Sequence, residues 1–325
     1  MQRRNFVMGS LAALGACSAA RSASTTLRVL LTDGQVVYGS SDLTSLQVRR
    51  GESQLQIRLR DVRSFHSGAP TSESEAARIS RDLPLVGGKD AAASEAALAN
   101  LVAIGLPVLT PLLSAYKDID AREPKPLYRL FSRLVPGYAD HRDRSLDLIR
   151  LAGSKAVRGK LSLTELRLEH DGRQETIPGD RIRTLAPVQS AVERDLELHS
   201  LYHCTYVSFL DTGLELSPTS RITSEAEGFV RLDFNEDGWS SDPDGIVDPL
   251  PGKRRLQEGF RWGAILGRVG PTGERFLMGS RFDKPAPSAG RLHIVINDNP
   301  HWQNNIGSYR MHLKATHAYD LGDAQ

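Results

Sequence analysis

Cysteine is almost missing from this chain: Cys17 and Cys204 are the two in 325 residues. If Cys17 leaves with a leader or takes up lipid, Cys204 stands alone and no intrachain disulfide forms. No Cys pair sits at zinc-ligand spacing, and the nine His are scattered, which excludes a zinc ribbon or finger. Aromatics are scarce at 6%, with three Trp. Long apolar runs are missing too, and none approaches the roughly 18 residues of a spanning helix. Charge of one sign is lacking: 41 Lys and Arg face 39 Asp and Glu, for a net +2. That excludes a strong field for nucleic acid or an acidic membrane. The tight basic groups Arg49-Arg50 and Lys253-Arg254-Arg255 read as solvated faces. There is no phosphate-cradling glycine loop and no Gly-x-Ser-x-Gly elbow, so nucleotide chemistry and that hydrolase class drop out.

What is present is 40% apolar composition, enough to bury cores in two or three domains. Residues 1–23 read as a targeting segment. Arg3-Arg4 precede a short, mostly apolar stretch from Phe6 to Ala16, and Arg-Arg-x-Phe resembles a twin-arginine export signal. Leu14-Gly15-Ala16-Cys17 resembles a lipobox that would leave Cys17 lipidated; cleavage near Ala20 to Ala23 is the plain alternative. Either route predicts an exported protein in the periplasm, the outer membrane or the cell surface, touching membrane only through lipid.

Residues 24–190 are expected to form one domain. Leu27 to Thr32, the turn Asp33-Gly34, and Gln35 to Gly39 read as a hairpin, because Asp-Gly supplies the positive φ that a tight turn demands. Leu46 to Arg49 and Gln54 to Leu59 add two strands. The same unit recurs 120 residues on: Val37/Val157, Gly39/Gly159, Leu43/Leu163, Leu46/Leu166, Ile57/Ile177 and Arg63/Arg183 are identical. The matched positions are mostly apolar, so a core pattern repeats, and the halves 26–66 and 154–186 are expected to pair as one small barrel or sandwich. Between them, 72–150 takes helical period. Asp90 caps a helix from Ala91 to Ile104 ended by Gly105, a second starts at Pro107, and a third spans Pro126 to Leu134. This insert resembles one HEAT-like repeat, which must dock on a neighbour to bury its face.

Near the C-terminus Leu292, Ile294 and Ile296 alternate with polar or outward positions, and so do Tyr309, Met311 and Leu313. These are two strands joined by Asn297-Asp298-Asn299-Pro300-His301-Trp302-Gln303-Asn304-Asn305-Ile306-Gly307-Ser308. One carboxylate and several side-chain amides in one loop suit a hard cation such as calcium, which takes six to eight oxygens. The same residue types make ordinary turns. His301 is a ligand contact or an exposed loop side chain, and Trp302 is the candidate to stack on a sugar ring. Asp233, Glu236, Asp237, Asp242, Asp244 and Asp248 form a second acidic stretch. It reads first as turns, then as a calcium contribution, and last as a glycosidase carboxylate pair.

The runs Trp262 to Gly270, Phe276 to Gly279, Ser288 to Leu292 and the Asn-Asp…Asn-Asn-x-Gly-Ser loop resemble the LecA-type (PA-I galactophilic lectin-like) family. Asp211 to Leu216 and Arg221 to Gly228 fit its opening strands, so the likeness spans about 202–316. It implies a galactose-binding-like jelly-roll β-sandwich at 200–316 with a tail at 317–325. It also implies calcium held by Asp298, Asn304 and Asn305, with the ion in turn holding a galactoside-type sugar. Asp242 and Asp244 fall near the family's auxiliary sugar-contact segment. The loop is one residue shorter than the family pattern. The whole order also resembles a bacterial envelope-protein layout, which names an arrangement and no activity. The expected fold class is mainly β with an α-helical insertion. The expected function is a non-enzymatic, calcium-dependent glycan-binding envelope protein. The alternative is a structural or assembly protein, meeting other envelope proteins, whose jelly roll uses calcium only as a staple or not at all.

Overall fold

The computed structural model describes residues 24–68, 71–109, 111–112, 130, 146–153, 155–205, 209–232, 240–246, 259–298 and 305–322. The targeting segment with Cys17, most of the second and third expected helices, and Asp233, Glu236, Asp237 and Asp248 lie outside them. The described chain is mostly antiparallel β, and its helical part is small.

The first copy of the repeat contains β1 (Thr25–Leu31), β2 (Val36–Ser41), β3 (Ser45–Arg50), β4 (Ser53–Arg58), a 3-10 turn at Leu59–Asp61, and β5 (Val62–His66). The second contains β6 (Asp147–Leu151), β7 (Ala156–Leu161), β8 (Glu165–His170), β9 (Arg173–Pro178), a 3-10 turn at Gly179–Arg181, and β10 (Ile182–His199). Both ends of β7, β8 and β9 lie 120 residues beyond those of β2, β3 and β4. The pairings obey the same offset. Leu31 opposes Ile182 as Leu151 opposes Val62, and Ser40 opposes Glu169 as Lys160 opposes Arg49. Phe65 opposes Leu185, its own repeat partner, so a pseudo-twofold axis passes between them. Alternation turns Leu46, Val48, Leu166 and Leu168 inward, and they share one core with Leu27, Val29, Val62, Phe65, Ile177, Ile182 and Leu185. Each copy covers the apolar face of the other, because a few strands alone leave one face wet.

The insert supplies α1 (Glu73–Asp82) and α2 (Ala91–Ile104). Ser72 and Glu75 close a capping box on α1, and Asp90 caps α2 by accepting from the Ala93 amide at 3.0 Å. Gly105 ends α2 at φ 79°, a conformation that favours glycine. Ile79, Leu98, Leu101 and Ile104 pack with Leu148 of β6, so the helices rest on the repeat.

The C-terminal strands are β11 (Leu210–Arg231), β12 (Ser240–Ser241), β13 (Ile265–Val269), β14 (Arg275–Leu277), β15 (Arg281–Pro285), β16 (Gly290–Ile296) and β17 (Ile306–Asp320). β17 lies between β10 and β11, while β16 pairs with β11 and β13. Their core gathers Leu196, Leu198, Leu214, Ile222, Trp262, Ile265, Leu292, Ile294, Tyr309, Met311 and Leu313. Three expected boundaries move. The insert expected to reach 150 ends before β6, which pairs with β5 and β7 and so starts the second copy ahead of the expected residue 154. No linker separates the units at 190–200, because β10 runs unbroken from β1 and β5 onto β17, pairing through His199↔Ser308. The expected tail at 317–325 also begins late: β17 continues to Asp320, and Ala318, Tyr319 and Asp320 are buried. Ladder bonds to β10 and β11 hold that end in place.

Candidate functional site

The Asn-Asp loop leaves β16 and returns as β17, two strands that pair with β11 and not with each other. Both described ends are tied to the turn after β10. Cys204, itself fully buried, bridges to Ile296, and Thr205 closes on Asp298 twice. The Asp298 amide donates to Thr205 Oγ1 at 3.0 Å, and that hydroxyl donates to the Asp298 carbonyl at 3.1 Å. At the other end the Ser200 amide and hydroxyl donate to the Gly307 carbonyl at 3.1 and 2.9 Å. Asn297 is held by the 260–264 turn: its Nδ2 donates to the carbonyls of Phe260 and Arg261, both at 3.1 Å. Gly263 in that turn has φ 79°, and a Cβ on it would meet Ser241 Oγ at 2.1 Å.

The loop brings Asp298 and Asn305 together and buries both, at 0% and 1% exposure; Asn297 is buried as well. Asn305 Nδ2 donates to Asp298 Oδ2 at 2.5 Å and to the Ser200 carbonyl at 3.2 Å. Its Oδ1, like Asn297 Oδ1, is a buried acceptor without a hydrogen-bond partner. Such an atom normally finds a donor, a water or an ion. Turning the Asn305 amide over would point its oxygen at the Asp298 carboxylate and a backbone carbonyl. Three oxygens so placed repel unless a cation stands among them, and calcium accepts carboxylate, amide and carbonyl oxygens together. The donor set therefore fits the hard cation that the sequence implies. Among the described residues no three His, Cys, Asp or Glu side chains cluster around a metal position. Asn304, His301 and Trp302 lie outside the described residues.

Asp242 and Asp244 have other partners. Asp244 Oδ1 accepts from the Ser280 amide at 2.8 Å and Oδ2 from its hydroxyl at 2.7 Å. Those two bonds hold the Asp244 carboxyl below its ordinary pKa. Asp242 Oδ1 accepts from the Asp244 amide at 2.9 Å, closing a turn, and its carbonyl accepts from the buried Tyr309 hydroxyl at 2.7 Å. The segment thus backs the 260–264 turn, since Ile246 donates to the Trp262 carbonyl at 2.8 Å. Sequence reading missed Asn297, Ser200 and Thr205. Asn297 adjoins Asp298 and was legible as an amide neighbour, whereas nothing local in Ser200 or Thr205 marks a brace on a loop 93 to 107 residues away.

The fold and site together define an antiparallel β protein with a buried carboxylate–amide pair at one loop. No protein-family model matches the chain, and no curated protein does. Among solved structures, the chain is similar to one described as "EclA N-terminal domain; PllA-like lectin", at 20% identity and a TM-score of 0.30. That likeness covers 38% of this chain and 96% of the other. A TM-score that low carries no weight for fold or function.

Proposed function

We propose that this chain binds carbohydrate through a calcium ion seated in the 297–305 loop, as a non-enzymatic module of jelly-roll type. The carrying observation is the buried, partnerless Oδ1 of Asn305 beside the buried Asp298 carboxylate. A cation would satisfy both at once. The resemblance of Asp298, Asn304 and Asn305 to LecA-type ligands supports the same reading and supplies the galactoside as its sugar. Export before residue 24, with lipid on Cys17 or plain cleavage, places the module in the envelope. Calorimetry on the full chain tests the proposal: calcium should give saturable heat, and a galactoside should bind with calcium present and be released by chelator. Absence of any calcium response removes the proposal.

A second reading has its own support. Asp298 and Asn305 are almost wholly covered, so an ion there would have little open coordination sphere to offer sugar hydroxyls. In that reading calcium staples the loop of a structural or assembly protein. Heat with calcium and none with any sugar selects it.

A further inference from the structure

The β13–β14 hairpin sets two like charges side by side, Arg268 directly opposite Arg275. Such cross-strand pairs destabilise a sheet. Both lean on one ring: the Arg268 guanidinium lies 3.7 Å from the Phe209 ring centroid and Arg275 lies 5.4 Å from it. Phe209 is packed with Ala264, Leu266 and Val295, so the ring that carries the guanidinium is fixed. Arg268 Nε is buried and has no hydrogen-bond partner. Burial first, and Arg275 after it, lower the Arg268 pKa against the opposing field of Glu95 on α2. In front of the pair opens a cleft of about 540 Å³ lined by Phe260, Arg268, Thr272, Gly273, Glu274 and Arg275. Gly273 has to be glycine, since a Cβ there would lie 2.0 Å from the Val269 carbonyl oxygen.

We infer that this cleft is a binding site for an oxyanion, a carboxylate, sulfate or phosphate group, held by the Arg268 guanidinium with Arg275 beside it. A planar guanidinium presents paired N–H donors that match two oxygens of such a group. An anion in the cleft would meet the part of the Arg268 guanidinium that lines it, while Nε stays covered, and its negative charge would lie beside both arginines. Of the lining residues, Phe260 also meets the Asn-Asp loop, its carbonyl accepting from Asn297 Nδ2. Glu274 on the lining opposes the anion and so weakens binding.

The test uses the full chain with chelator present and inorganic sulfate as probe, against chloride at equal ionic strength. Sulfate should raise the melting temperature and titrate to saturation in calorimetry. Arg268→Gln should weaken sulfate by about tenfold or more, the loss of a charged hydrogen bond. It should leave the ligand-free melting temperature unchanged or higher, because it relieves repulsion. Glu274→Gln should tighten binding. D-glucuronate against D-glucose separates sources: binding of the acid sugar alone marks a group carried on a glycan, and sulfate without glucuronate marks a free ion. Failure of both anions to bind wild type, or equal binding by Arg268→Gln, overturns the site. Should Arg268→Gln not fold, unchanged affinity in Glu274→Gln overturns it as well.

Discussion

Asp298 and Asn305 share one hydrogen bond in a space shut from solvent, and that burial decides which substitution is informative. Asp298→Ala strips the Asn305 amide of its 2.5 Å acceptor, and a stranded buried donor costs about 1–3 kcal/mol. Asp298→Asn keeps the shape and removes the charge. With calcium at a hundredfold excess over its dissociation constant, wild type should gain about 2.7 kcal/mol of stability. Asp298→Asn should lose that gain, while Asn305→Ala should keep part of it, as followed by thermal melts with and without chelator. His66 makes a second residue-scale prediction. The residue is partly covered, but its ring, 3.1 Å from Ser64 Oγ, sits in the fields of Arg150, Arg28 and Arg291. Burial first, and then those arginines, push the imidazole pKa down to about 3. Its folded pKa is below the unfolded value near 6.5, so the unfolded chain binds the extra proton. Stability should therefore fall as pH drops from about 6.5 toward 3. Denaturant melts at stepped pH should show that slope, and His66→Gln should flatten it.

At the scale of elements, one repeated arginine does two jobs. Arg63 and Arg183 occupy equivalent positions beside the pseudo-twofold axis. Arg183 is buried against Glu75 of α1, with bonds of 2.7 and 2.5 Å, and so docks the insert. Arg63 instead reaches Gln189 and lies 4.0 Å from Asp320, toward the C-terminal strands. Glu75 also closes the capping box, accepting from the Ser72 amide at 2.9 Å. Glu75→Gln leaves the buried Arg183 charge opposite a neutral amide, and breaking such an ion pair costs about 3–5 kcal/mol. Chemical denaturation should register that loss, with α-helical circular dichroism falling first. The repeat itself predicts that a fragment of residues 24–153 lacks half of its core and gives no cooperative melt. A fragment of residues 24–189 carries β7 through the β1-paired part of β10 and should melt cooperatively.

Across the whole molecule, the unbroken β10 joins the repeat to the C-terminal strands, and polar contacts reinforce the joint. Arg28 of β1 pairs with Glu215 of β11, and the Tyr38 hydroxyl donates to the same carboxylate at 2.7 Å. Tyr38 and Tyr319 rings lie 5.8 Å apart, and Arg194 donates to Asp320 at 2.8 Å. Glu215→Gln would leave Arg28 buried beside a neutral amide at a cost of about 3–5 kcal/mol. Calorimetry should show one transition for wild type and two for the variant, because the loss falls on the joint and not on either core. The strand also determines what can be cut. A fragment starting at residue 200 would remove the β10 segment 188–199 that covers one edge of β17, so binding is measured on the full chain.

Local patterning was enough to reveal the strands, the 120-residue repeat and the α2 caps. Alternation, Asp-Gly turns and an Asp–Gly helix frame act over a few residues and are written where they act. It also marked Asp298 and Asn305, since a carboxylate and an amide seven positions apart share one loop. The fates of the two repeat arginines were not legible, because identical residues meet different neighbours, Glu75 on one side and Gln189 on the other. Nor were the braces from Ser200 and Thr205, the commitment of Asp244 to Ser280, or the crowding of Arg268 and Arg275 on Phe209. Each joins residues tens of positions apart or sets side chains that have no local reason to meet, and long-range strand pairing chooses those neighbours only when the chain folds.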